Sequence, residues 1–183
     1  MGMLMHRLFF AVRPPAAVGA AVEQVAAGMR AGGVLRGHWI RAAKYHITTL
    51  FLGSYAFVPD DLVERAKCAA EAIAFAPFEI TLDRVSSFPG RRQSPCILCC
   101  SQDSAEALRA LWAQLRIEAS AAGMALAEET KFTPHLTIAY GDRALPEALP
   151  IEPLRWRAEQ FFLMHSDAGD SVHRPLGSWR LQG

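Results

Sequence analysis

Two histidines that share the same partner at the same spacing offer the clearest chemistry in this chain: His46 with Thr48, and His135 with Thr137. Both pairs lie in apolar runs, Tyr45 to Gly53 and Pro134 to Tyr140, that read as β-strands. Residues i and i+2 of a strand project from one face, so each run sets an imidazole beside a hydroxyl. A polar pair in an apolar strand costs free energy unless it has partners or a task, and here the cost is met twice. Histidine titrates near neutrality, so two of them can act as acid and base in one turnover, while threonine hydroxyls donate to anionic oxygens without changing charge. Facing each other, the two pairs are the parts for in-line displacement at phosphorus, where positioning and charge stabilisation dominate. Metal binding is the competing use of histidine, but neither run supplies the third and fourth ligands such a site needs, so no metal is expected.

The elements that must hold these pairs can be read from periodicity and punctuation. Leu8 to Val12 is a short buried strand stopped by Arg13-Pro14-Pro15. A helix is predicted from about Ala16 to Met29, ended by Gly32-Gly33, and a second from Pro59-Asp60 to about Phe75. Phe78 to Val85 and Pro95 to Cys100 form a hairpin whose tip carries Arg91 and Arg92. Ser104 is the expected N-cap of a third helix running to about Ala122, with Gly123 as its stop. After the second histidine strand, Pro146, Pro150 and Pro153 space a linker, followed by a strand from about Trp156 to His165 and a last one within Val172 to Leu181. The two histidines stand 89 positions apart, each in a strand that follows a helix and a turn, as in a site built from two similar halves. The expected class is α+β, with helices outside antiparallel sheets that line a cleft.

Composition narrows the partners. With 183 residues, about half of them hydrophobic (51%), the chain is expected to fold as one domain spanning residues 1–183 without staples. The four cysteines do not space like a disulfide framework, and Cys96-Ile97-Leu98-Cys99 lacks the second pair that four zinc ligands would need. No apolar run is long enough to span a membrane and no secretory signal opens the chain, so the expected location is cytoplasmic. A net charge of +1 does not fit a protein that coats long nucleic acid. Between Glu23 and Asp60, however, there is no acidic residue, while Arg30, Arg36, Arg41, Lys44 and His38 fall there, a local field that favours an anion near His46. Phe9, Trp39 and Phe88 are candidates for stacking a base, or core residues. His38 and His165 can lie near the cleft, whereas His6 and His173 read as terminal or edge residues.

With both His-x-Thr motifs, Arg7-Leu8-Phe9-Phe10-Ala11-Val12 before prolines, Phe51-Leu52-Gly53 after the first motif and Phe132-Thr133-Pro134 before the second, the sequence resembles the two-histidine (2H) phosphoesterases. Within them it is similar to the RNA 2',3'-cyclic phosphodiesterases also known as 2'-5' RNA ligases. The resemblance, which includes the strand from Trp156 to Ser166, implies a bilobal, pseudo-twofold fold whose central cleft holds both motifs. It implies hydrolysis of a 2',3'-cyclic phosphate to a 2'-phosphomonoester: His46 protonates the departing 3' oxygen, His135 deprotonates water, and Thr48 and Thr137 bind the nonbridging oxygens. The same groups run backwards would join RNA ends through a 2'-5' linkage. The implied partners are RNA ends or nucleotides bearing the cyclic phosphate, with no cofactor, no membrane and no protein partner, the chain acting as a monomer. Two positions depart from the family: Thr49 stands where an aliphatic residue is usual, expected to face away from the cleft, and Tyr140 where arginine is common. Arg91, Arg92 and Lys131 are the cations able to replace that arginine. An RNA-end binding module with little turnover, or a phosphodiesterase for another cyclic or 2'-5' linked substrate, are the alternative readings.

Overall fold

The computed structural model describes residues 5–88, 93–129, 131–167 and 173–183. Nine strands and three helices follow one another as β1 (His6–Val12), α1 (Ala16–Ala31), β2 (Gly37–Trp39), β3 (Ile47–Tyr55), α2 (Asp60–Glu71), β4 (Phe78–Ser87), β5 (Ser94–Cys100), α3 (Gln102–Ala121), β6 (His135–Gly141), β7 (Leu149–Ala158), β8 (Gln160–Ser166) and β9 (Arg174–Arg180). The α+β architecture is the expected one. The strands form one antiparallel sheet, β7-β4-β5-β6-β3-β1-β8-β9, with β2 added on β6, rather than separate sheets.

The sheet is nonetheless two halves. β3 and β6 meet at a single residue pair, Ile47 opposite Leu136, while every other neighbouring pair in the row shares a ladder of several residues. About that junction the order reads the same in both directions: β3, β1, β8, β9 on one side and β6, β5, β4, β7 on the other. The helices repeat the symmetry, since α1 packs on β6 and β7 while α3 packs on β3 and β4. Both helices end alike. Gly33 (φ +62°) and Gly123 (φ +77°) take the left-handed conformation, and the next amide donates back to the Met29 and Ala119 carbonyls at 3.2 and 3.0 Å. These are the glycine stops read from the sequence.

Burial on one face explains the strands. Leu8, Phe10 and Val12 of β1, Ile47 of β3, Leu98 of β5 and Leu136 of β6 are fully covered and join Val22, Leu108, Leu111 and Leu115 of the helices in the main core. Side chains between them alternate to the other face, where Phe9, Ala11 and Met164 form a smaller cluster beside the cleft.

Four boundaries differ from the sequence reading. The segment with Pro150 and Pro153 is strand β7, not a linker, and it tolerates prolines because it is an edge strand with β4 as its one partner. The single strand expected over Trp156 to His165 is interrupted at Glu159: Trp156 stays in β7, and β8 belongs to the opposite half of the sheet. The cap of α3 is Ser101, not Ser104, whose buried hydroxyl instead accepts from the Thr81 amide at 2.9 Å and ties the helix to β4. Finally, α2 stops at Glu71, because Phe75 pairs with Gln182 and sets its ring edge-on to Phe78.

Candidate functional site

The one-pair junction positions the two motifs. Ile47 and Leu136 point into the core with no exposure, so their neighbours point to the opposite face. In an antiparallel pair the register continues symmetrically, which sets His46 level with Thr137 and Thr48 level with His135. A bulge sits at the same place in each half: the β1 register skips Thr49, and the β5 register skips Ile138. Each bulge falls one residue after the threonine and bends the strand at the cleft. Gly37 brings β2 onto β6, since a Cβ there would collide with the Tyr140 carbonyl, and His38 is thereby paired beside Tyr140.

The result is a cavity of about 410 Å³ lined by His46, Thr48, His135 and Thr137 together with Arg7, Phe9, His38, Lys44, Phe51, Tyr140, Asp167 and His173. That volume is within the range of small-ligand sites.

The two imidazoles are held the same way. His46 Nδ1 donates to the Lys44 carbonyl at 2.7 Å, and His135 Nδ1 donates to the Thr133 carbonyl at 2.8 Å, each two residues upstream. A carbonyl can only accept, so the neutral tautomer leaves Nε2 bare in both rings. Thr48 Oγ1 lies 3.1 Å from His46 Nε2. Burial depresses His46 to about 4 against the Lys44 carbonyl bond, with His135 and Arg13 pushing the same way. Burial also lowers His135. His173, at the other side of His46, is lowered to about 4 by burial and then by His46, Lys44, Arg13 and Arg7. At neutral pH His46 and His135 are therefore neutral, each with its Nε2 able to accept a proton.

The structure brings together His46, Thr48, His135, Thr137 and Tyr140 from the expected residues, and leaves others out. Lys131 is exposed and lies outside the cavity lining. Arg91 and Arg92 fall outside the described residues. Of the acid-free basic segment, Lys44 and His38 reach the cavity, whereas Arg30 pairs with Glu23 at 3.0 Å and lies over Trp39. Trp39 packs toward the core; Phe9 lines the cavity beside His46 with ring centres 4.9 Å apart, and Phe88 lies perpendicular to His135 at the same centre-to-centre distance of 4.9 Å. Thr49 faces away from the cleft, fully buried, its hydroxyl without a hydrogen-bond partner.

Three lining residues carried no role in the sequence reading. Arg7 shares the cleft face of β1 with Phe9, which strand alternation could have revealed. His173 stands 4.9 Å from His46 and 5.5 Å from Phe9, ring centre to ring centre, and is no edge residue. Asp167 follows β8, and nothing in its local sequence marks it. His165, by contrast, turns to the core face beside His6.

The family described as the 2'-5' RNA ligase superfamily matches residues 14–170. Among solved structures, the fold is similar to TT0787 of Thermus thermophilus (26% identity, 97% of this chain and 98% of that one, TM-score 0.77). It is also similar to Escherichia coli LigT complexed with 3'-AMP (23% identity, 98% and 99% covered, TM-score 0.77). LigT has further been crystallised with ATP and with NADP+. A search of curated proteins finds no match. No helix among the described residues is long and apolar enough to cross a membrane. With a fold shared end to end and two His-x-Thr pairs across one cavity, the chain belongs to the 2'-5' RNA ligase superfamily of two-histidine phosphoesterases.

Proposed function

We propose that this protein opens 2',3'-cyclic phosphates on RNA ends or nucleotides to 2'-phosphomonoesters, using His46 and His135 as acid and base without a metal in the reaction. The observation that supports this most is the Ile47–Leu136 junction, which sets two like-tethered imidazoles, each with a bare Nε2, across one cavity. Water attacks phosphorus as His135 Nε2 takes its proton; the bond to O3' breaks as His46 Nε2–H returns a proton to that oxygen. Thr48 and Thr137 donate hydrogen bonds to the nonbridging oxygens, with Lys44 and Arg7 supplying positive charge at the cavity wall.

The two environments suit these roles. The more strongly depressed His46 is the stronger acid once charged, and the less perturbed His135 is the better base. The proton on His46 is loaded as the phosphate anion enters, because a nearby negative charge raises an imidazole's pKa. Run in reverse with an RNA hydroxyl in place of water, the same steps give 2'-5' ligation. Tyr140, exposed at the position where arginine is common, favours a second reading in which the site binds cyclic-phosphate ends with little turnover.

Incubation with 2',3'-cyclic AMP in EDTA, followed by product identification, separates the readings. The expected product is 2'-AMP, abolished by His46→Ala and by His135→Ala. Formation of 3'-AMP reverses the geometry assigned to the two histidines. Tight binding without product supports the binding module, and neither binding nor turnover points to another phosphodiester.

A further inference from the structure

A second group of chemistry-bearing side chains gathers at the open end of the β1/β8 ladder, where His165 turns to the core face and Asp167 stands at the cleft rim. Leu8 pairs with His165, so His165 faces the core side and is 7% exposed; Arg7 pairs with Ser166, which brings His6 level with Asp167 one step further on. His6 Nδ1 and His165 Nε2 stand 2.9 Å apart with ring centres at 5.1 Å. A carboxylate oxygen of Asp167 joins them, so that one ligand atom from each of the three residues lies within 4.8 Å of the other two.

Two imidazole nitrogens at hydrogen-bond distance share one proton, donated by one ring and accepted by the other. Zinc with nitrogen ligands at its usual distance and tetrahedral angle holds them about 3.3 Å apart, so an ion replaces that proton if the nitrogens open by a few tenths of an ångström, the rings turn toward a common point and the Asp167 oxygen closes in. Two nitrogens and one carboxylate oxygen match the donor preference of zinc and its first-row neighbours, not of calcium or magnesium. We propose that His6, His165 and Asp167 form a binding site for a divalent first-row transition-metal ion, zinc foremost.

The site stands apart from the acid/base pair, whose His46 and His135 are not among its ligands. It is connected to the cleft through Asp167, which also lines the cavity. A bound ion fastens the start of β1 to the end of β8 and fixes Asp167 at the rim, with its fourth position left to water or to a ligand oxygen.

The test is calorimetric titration of the metal-stripped protein with zinc ion alone, with bound metal counted by elemental analysis. One equivalent is expected, its affinity weakened about tenfold or more by His6→Ala and by Asp167→Asn, and retained by His135→Ala. Cobalt loading of the wild type should give the visible absorption of a four-coordinate nitrogen and oxygen site. Far-UV circular dichroism checks each variant, and the rim variant Asp167→Asn decides alone if His6→Ala does not fold. Absence of stoichiometric zinc binding, or binding of undiminished affinity in Asp167→Asn, overturns the proposal. Binding lost in His135→Ala but kept in His6→Ala assigns the ion to the catalytic cleft and overturns it equally.

Discussion

The two walls of the cleft carry the same covalent device in unlike surroundings. The His46 wall is crowded: Phe9 at 4.9 Å and His173 at 4.9 Å flank the ring, which is held neutral down to a pKa of about 4. On the His135 wall Phe88 stands perpendicular to the ring with centres 4.9 Å apart, and burial alone lowers the imidazole. The bulges differ too, since one covers a threonine hydroxyl and the other the fully apolar Ile138. Backbone tethering is equal on both sides, so in the proposed mechanism it is the neighbours that would make one copy of the motif an acid and the other a base.

The comparison breaks most sharply if either histidine is dispensable. His46→Ala and His135→Ala are each expected to lower kcat for cyclic-phosphate hydrolysis by about 10³-fold, with the circular dichroism spectrum unchanged. Wild-type turnover in either variant would sink the reading. Acid stability is the next lever. His46 and His173 are neutral in the fold to about 4 but charge near 6.5 in the unfolded chain, so the unfolded state binds more protons between those values. Stability should therefore be level above pH 6.5 and fall progressively from there toward pH 4, and a His46→Gln, His173→Gln double variant should flatten that fall in thermal melts. An unchanged slope places the acid sensitivity elsewhere.

His173→Ala sharpens the contrast between the walls. Removing the ring packed beside it lessens the burial that lowers His46, so its pKa should rise and the acid limb of the kcat/KM profile move upward, with kcat reduced by about tenfold or less. A loss in KM alone would make His173 a substrate contact instead. The smallest effect is expected at the bulge: Thr49→Val removes a buried hydroxyl that has no partner and should stabilise the fold by about 1 kcal/mol, or roughly 2–4 °C in Tm. The mirror change Ile138→Thr should destabilise by a similar amount.

What could be read in advance was local. Both motifs, the glycine stops of α1 and α3 and the β4/β5 hairpin follow from spacing, turn residues and capping chemistry, and they lie where those signals put them. The remainder depends on pairing between distant segments. Pro150 and Pro153 argue for a linker until β7 is known to be an edge; His173 looks marginal until β9 is paired with β8, and His165 faces the cleft or the core according to its register with Leu8. A shift of one residue would exchange those faces, and no neighbour in sequence fixes it.

The prolines of β7 bear on solubility as well as on pairing. The other outer strand, β9, carries Pro175 with Arg174 and Arg180, and β7 adds Arg155 and Arg157 to its own prolines. The row of eight strands has β7 and β9 as its two outer margins, at which a second chain could extend the hydrogen-bond ladder, and missing amide donors together with positive charge interrupt both. Strand-to-strand aggregation is thus discouraged at each outer margin.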